Sequence, residues 1–324
     1  MNTKIVNLVV HDAGSGIGMW SDAVDAEAYG NIIYYNGWMG PDRSHGHGIY
    51  TQNKAGVRRI VDNVVFNQFG MGLHVYGSDQ AFLDDLHIEG NVVFTNGILR
   101  DFNILLGGHR VANRPVVLFN HTYDRSGSGN NVGYQAGCAD LTMKGNYFGA
   151  VDGGYAIQLV NCTGEFEGNT LAGNVRAIRD QTIVAVNDFK EQYPKNDYVD
   201  RPAGMRISVR PNRYTAGRAH VVVYNWDHAA SAEVDLGAVG IPPGGTFEVR
   251  DVRSLHAGPV VSGTYAGRAV TIPLNGLTAE PIVGWKDTPA HMAPEFAVFL
   301  VTSSEAKPSA LSAMAARVRG LLGF

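Results

Sequence analysis

The segments "GIGMWSD", "GIYTQN" and "GLHVYGS" carry the residues best suited to chemistry. Aligned on Ile17, Ile49 and Leu73, they place Gly18, Tyr50 and His74 in one column. Trp20, Gln52 and Tyr76 fall in a second column two residues on, with Asn53 beside them. The remaining columns, Ile17, Ile49, Leu73 and Met19, Thr51, Val75, are largely apolar and face an interior if each segment is a strand, so the polar columns face out. Solvent-facing strand positions without a task more often carry Lys, Glu, Ser or Thr. Aromatic rings cover the apolar face of a sugar, while imidazoles and amides meet its hydroxyls. A carbohydrate site is therefore expected here. In the segments "NILLGG", "NVGYQAG" and "AIQLVN" the alignment extends the apolar columns through Ile104, Val132, Ile157 and Leu106, Tyr134, Leu159. The outward positions there fade to Leu105, Gly107, Gly133 and Val160.

Two histidines, His45 and His47, lie just upstream in "YYNGWMGPDRSHGHG". An insertion of this kind rises over one face, where function concentrates. His47, between Gly46 and Gly48, serves equally well as a corner residue bonded to backbone. Two mechanisms fit these residues. A lyase needs a base, an acid and a group that neutralises a uronate carboxylate. His74 with Tyr50 or Tyr76 supplies the first two, Gln52 or Asn53 holds the acid group, and Arg43 or Lys54 is the nearby cation. A hydrolase needs two carboxylates, and Asp22 and Asp79 end strands two repeats apart, about 9.6 Å at the usual strand spacing. That is just beyond the upper end of the inverting range of about 6.5–9.5 Å, and both acids also suit turns. The patch is rich in His, Tyr and amides and poor in acids, which favours the lyase. Calcium takes six or more oxygens, and beyond Asp22, Asp25 and Glu27 no other repeat adds an aligned acid, so no cofactor is expected, with calcium the one alternative.

The elements that position these residues emerge from a longer repeat. Asn7, Asn31, Asn63, Asn91, Asn120, Asn146 and Asn169 each precede a short β-prone run, at intervals of 24, 32, 28, 29, 26 and 23 residues. Stacked turns of a coil would bring such asparagines into register, where their amides bond up and down the stack. This asparagine ladder with irregular turns resembles the right-handed parallel β-helix of the pectin-lyase-like superfamily, over roughly residues 4 to 182. The resemblance implies an all-β fold with a glycan-active or glycan-binding role, but the architecture serves lyases, hydrolases, tailspikes and adhesins alike. "GHG" is similar to a motif of polygalacturonase-like hydrolases. That family places Asn-x-Asp and Asp-Asp before it and Arg-x-Lys after it, whereas here Asp84-Asp85 lies downstream, so its catalytic assignment is not carried over.

The expected organisation is a right-handed parallel β-helix over 1–186, a linker or last irregular coil over 187–204, an antiparallel β-sandwich over 205–303 and a tail, a short helix, over 304–324. Cys138 and Cys162 are too few for a disulfide framework, and two buried free thiols are preferred over a bridge between neighbouring turns. A net charge of −4 with no basic block argues against nucleic acid, and no apolar run is long enough to span a membrane. The N-terminus has no signal-peptide pattern, so the expected location is cytoplasmic, or secreted or periplasmic if a leader is missing. Nothing in "MNTKI" caps the first turn, which predicts that residues 1–10 are covered, with self-association the leading means. The expected partner is a polysaccharide substrate.

Overall fold

The structure, a computed structural model, describes residues 2–98, 102–125, 127 and 129–305. Two units divide it, Met1–Pro202 and Ala203–Phe324. The first is a parallel β-solenoid of about seven turns. Each turn contributes short strands to three sheets in succession. The first sheet begins with Lys4–Val6, Glu27–Tyr29 and Arg58–Val61, and the second with Val9–His11, Ile32–Tyr34 and Val64–Phe66. The third runs Ile17–Met19, Ile49–Thr51, Leu73–Gly77, Ile104–Gly108, Asn130–Gln135, Tyr155–Val160 and Asn174–Arg179. All of these pair in parallel. Ile33, Val65, Val93, Ile49, Leu73, Ile88 and Phe148 are among the side chains that fill the interior.

Short Val/Ile runs make the strands, and the corner between the first two sheets is set by one left-handed residue followed by one asparagine. Gly30, Asp62 and Gly90 take φ of 67°, 53° and 67° there, a conformation that glycine adopts freely and Asp or Asn tolerates. Asn31, Asn63, Asn91, Asn120, Asn146, Asn169 and Asn196 follow, each side-chain Nδ2 donating to the next Oδ1 at 2.7–3.0 Å. The ladder thus starts one turn later than expected. Asn7 occupies the left-handed place itself, at φ 57°, and Leu8 stands opposite Asn31. A second amide ladder, Asn36, Gln68, Asn96 and Asn103, closes the next corner with bonds of 3.1–3.2 Å.

Of the two readings given to 187–204, linker or last irregular coil, the second holds: Asn196 completes the ladder and Asp197–Val199 pairs with Thr170–Ala172. Before it, the helix Val186–Gln192 lays Phe189 against Phe166, Tyr193 and Tyr198 at ring separations of 5.9, 5.2 and 6.1 Å, covering the last turn. At the opposite end, Leu8 and Val9 are 49% and 40% exposed among the described residues. Cys138 and Cys162 stand directly opposite each other in adjacent turns, with Cα atoms 4.4 Å apart, and form a disulfide rather than two thiols.

The second unit contains a five-stranded antiparallel sheet in the order Met205–Pro211, Arg218–Asn225, Phe296–Thr302, Thr246–Asp251 and Val261–Thr264. A two-stranded ribbon, Ser231–Val234 with Val270–Pro273, adds Val234 and Ile272 to the core formed by Val221, Val249 and Phe299. Of the expected tail, residues 306–324 lie outside the described residues.

Candidate functional site

The third sheet brings together five of the residues singled out above: Trp20, Tyr50, His74, Tyr76 and, beside them, His47. Its register pairs Gly18 with Tyr50, Tyr50 with His74 and His74 with Leu105. Gly18 has no side chain, and the Trp20 indole folds back over its place, with Nε1 3.6 Å from where a Cβ would stand. Trp20 meets Tyr50 edge-on at 4.9 Å, and Tyr50 stacks on His74 at 4.7 Å and 17°. Along the same strand His74 lies 5.2 Å from Tyr76. The result is a continuous aromatic and imidazole strip, half-buried through Tyr50, His74 and Tyr76 and ending at Trp20, which is 56% exposed.

Arg58 underlies this strip. Its guanidinium is fully buried and donates from Nη2 to the Trp20 carbonyl at 3.0 Å, fixing the backbone that carries the indole. Burial lowers its pKa, opposed by the charge of Asp25. The cation was not apparent in the sequence because Arg58 belongs to the first sheet and reaches back across a turn.

The insertion in "YYNGWMGPDRSHGHG" is a β-hairpin. Trp38 pairs with His45 and Met39 with Ser44. The two ends of the hairpin meet at Gly37 and Gly46, with φ of 116° and 80°, where a Cβ on Gly46 would collide with the Gly37 Cα. Gly46 therefore closes the hairpin, while His47 already belongs to the coil. His47 Nδ1 accepts from the Met71 N–H at 3.1 Å, which puts its proton on Nε2. The backbone role expected for His47 and its place in the site coexist, since its ring also packs on His74 at 4.2 Å. Held this way, His47 is a hydrogen-bond donor rather than a base.

The remaining sequence candidates separate. His45 is half-buried, stacks on Trp38 at 4.5 Å and bonds Asp42 at 3.1 Å. That bond is the main cause of the lowered Asp42 pKa. Arg43 is exposed at the hairpin turn, and Gln52 is half-buried just past its strand. Asn53 is not outward. It is fully buried, its Nδ2 donating to Gly56 and Asp84 carbonyls at 2.8 and 2.6 Å, because the chain turns inward there to start the next corner. Asp22 is exposed in a turn, and Asp79 meets His109 at 3.1 Å. Asp25 accepts from Val57 N–H and Glu27 faces Lys4 at 4.0 Å, so the acids considered for calcium serve separate contacts. Among the described residues no group of three His, Cys, Asp or Glu side chains stands ready to hold a metal.

Beyond the third turn the expected columns change. Asn130 pairs with Ile104, and Val132 with Leu106 and Leu159, two residues away from the aligned register. A bulge between Leu106 and Gly107 then sets Tyr134 opposite Gly107. Tyr134 thereby joins the outward strip, 6.5 Å from Tyr76, instead of the core. Leu105 and Val160 are buried, so the expectation that these columns face solvent fails there. His109, 6.0 Å from Tyr76, is a further neighbour that the alignment did not supply.

The Tyr76 phenol is pushed above its ordinary pKa, first by burial and then by Tyr134, Tyr50 and Asp79, against the lowering effect of Arg43. A phenol so held keeps its proton at neutral pH and suits donation. No protein-family model, curated protein or solved structure matches the chain.

Proposed function

We propose that this protein cleaves an acidic polysaccharide on the third sheet of its solenoid, as a lyase. The observation that carries the reading is the unbroken strip Trp20–Tyr50–His74–Tyr76, rich in rings and proton-transfer groups and without a carboxylate among its members. In β-elimination His74 takes the proton next to the uronate carboxylate. The electron pair forms the C4–C5 double bond as the C4–O bond breaks, and Tyr50 or Tyr76 gives its proton to the departing oxygen. His47 Nε2–H is suited to the carboxylate, whose charge must be balanced while the proton leaves. Trp20 stacks a neighbouring sugar. We read the solenoid as a right-handed coil of the pectin-lyase-like kind and the second unit as a supporting β-sandwich.

Incubation with a panel of acidic and neutral polysaccharides tests this. A lyase produces unsaturated-uronate absorbance together with chain shortening. New reducing ends without that absorbance would replace the reading with a hydrolase using Asp22 and Asp79. Retention of a glycan with neither change would leave a binding protein of the tailspike or adhesin kind.

A further inference from the structure

The hairpin Trp38–His45 is not needed to complete a turn of the coil, yet it places apolar surface in solvent. Trp38 is 50% exposed and Met39 53%. One face of the indole is backed by His45 at 4.5 Å and 15°, and His45 is tied to Asp42 at 3.1 Å. The ring is thus held in place on one side and open on the other. Single exposed apolar residues are ordinary, but a backed indole on a hairpin closed by two facing glycines is an arranged surface. The hairpin is also continuous with the strip, for His45 precedes by two residues the His47 ring that packs on His74 at 4.2 Å. Arg43 sits at the hairpin turn with 61% of its side chain exposed, and its charge is felt at the Tyr76 phenol. Its ion-pair partner Asp42, 3.6 Å away, is shared with His45, so the pairing leaves Arg43 charge to offer.

We propose that this hairpin is a second glycan-binding element, in which Trp38 stacks a sugar ring away from the reacting unit and Arg43 engages a carboxylate of the same chain. The inference rests on the third-sheet strip being the glycan site and adds the element that selects acidic over neutral glycans. A planar guanidinium can meet a carboxylate through two parallel N–H donors, which a neutral hydroxymethyl group cannot match. A rigid platform also lowers the cost of ordering the bound chain.

Affinity electrophoresis of the full chain on ice, in gels containing polygalacturonate, alginate or hyaluronan and a neutral β-glucan control, tests the proposal. Trp38→Ala and Arg43→Gln should each weaken retention in an acidic gel about fivefold to tenfold. The Arg43→Gln loss should vanish in gels of the same polysaccharide after its carboxylates are reduced to alcohols. Retention of both variants equal to wild type, while Trp20→Ala loses it, overturns the hairpin inference and leaves the strip reading standing. Wild type migrating freely in every acidic gel overturns both. A Trp38→Ala effect that tracks loss of a wild-type dimer in light scattering, with glycan retention per monomer unchanged, makes the hairpin a contact between copies and also overturns the proposal.

Discussion

The inside and the outside of the solenoid wall are both built from side chains that repeat turn by turn, and they use repetition in opposite ways. Inside, one residue type serves every turn from the second onward. Seven asparagines from Asn31 to Asn196 bond each to the next, so each buried amide finds partners above and below. Outside, the third sheet changes its residue at every turn: the Trp20 indole over Gly18, then Tyr50, then His74, then the buried Leu105. Uniform repetition secures the coil, and departure from it on a rigid frame places different groups about one strand spacing apart. The comparison teaches that the chemistry should sit where the repeat is broken, and that the two ladders should respond to mutation independently.

The largest expected effect strikes the inner ladder. Asn120→Ala removes the acceptor of Asn91 N and Nδ2 and the donor to Ile88 O and Asn146 Oδ1. Leaving those groups buried and unpaired should cost about 4 kcal/mol, read as a lower urea midpoint. Whatever fraction remains folded should bind glycan like wild type. Loss of binding by the folded fraction would mean that the ladders are not independent.

Next comes the bridge between turns. Cys138→Ser with Cys162→Ser opens a loop of sequence separation 24, and the expected loss is about 3 kcal/mol. A thiol count on denatured, unreduced protein should give zero, and a count of two would remove the disulfide from the account.

On the outer strip, His74→Ala and Tyr50→Phe should each lower turnover about a hundredfold or more, with urea midpoints near wild type. Full activity in both well-folded variants would eliminate the assigned base and acid. Trp20→Ala should raise KM about tenfold while kcat holds, because stacking acts on bound substrate and transition state alike. A fall in kcat alone would give Trp20 another role.

The smallest effect concerns the covered end of the coil. The Tyr198 phenol donates to the Tyr193 carbonyl at 3.0 Å, and burial pushes its pKa to about 12 from an ordinary 10.0. Its folded value lies above the unfolded one, so its contribution is present below pH 10 and is lost as pH rises through about 12. The melting temperature should fall across that window, and Tyr198→Phe should flatten the fall.

Much of this frame was legible from sequence, for physical reasons. Asn before a Val/Ile run is a strong signal, because a buried amide leaves the composition little freedom at its corner. It misled at Asn7, where the same residue type satisfied a left-handed φ instead. The second ladder was hidden by Gln68 among asparagines, and by its short final step from Asn96 to Asn103. The outward strip was readable over three turns, while the strands share length and register. It failed at Tyr134 because one bulge shifts every later side chain, and bulges leave no mark in a pattern of alternation. Asn53 was misplaced by continuing a strand past its end, and Trp38 was passed over because a hairpin inserted in one turn has no counterpart in the others.

The central claim is that glycan binds on the strip, and hydrogen exchange of the full chain with and without a uronate oligosaccharide tests it most directly. Slowed exchange should fall on the strands Ile49–Thr51 and Leu73–Gly77 and on the hairpin Trp38–His45, with Tyr155–Val160 and Asn174–Arg179 unchanged. Protection confined to those last turns, or to the unit beyond Pro202, would contradict it.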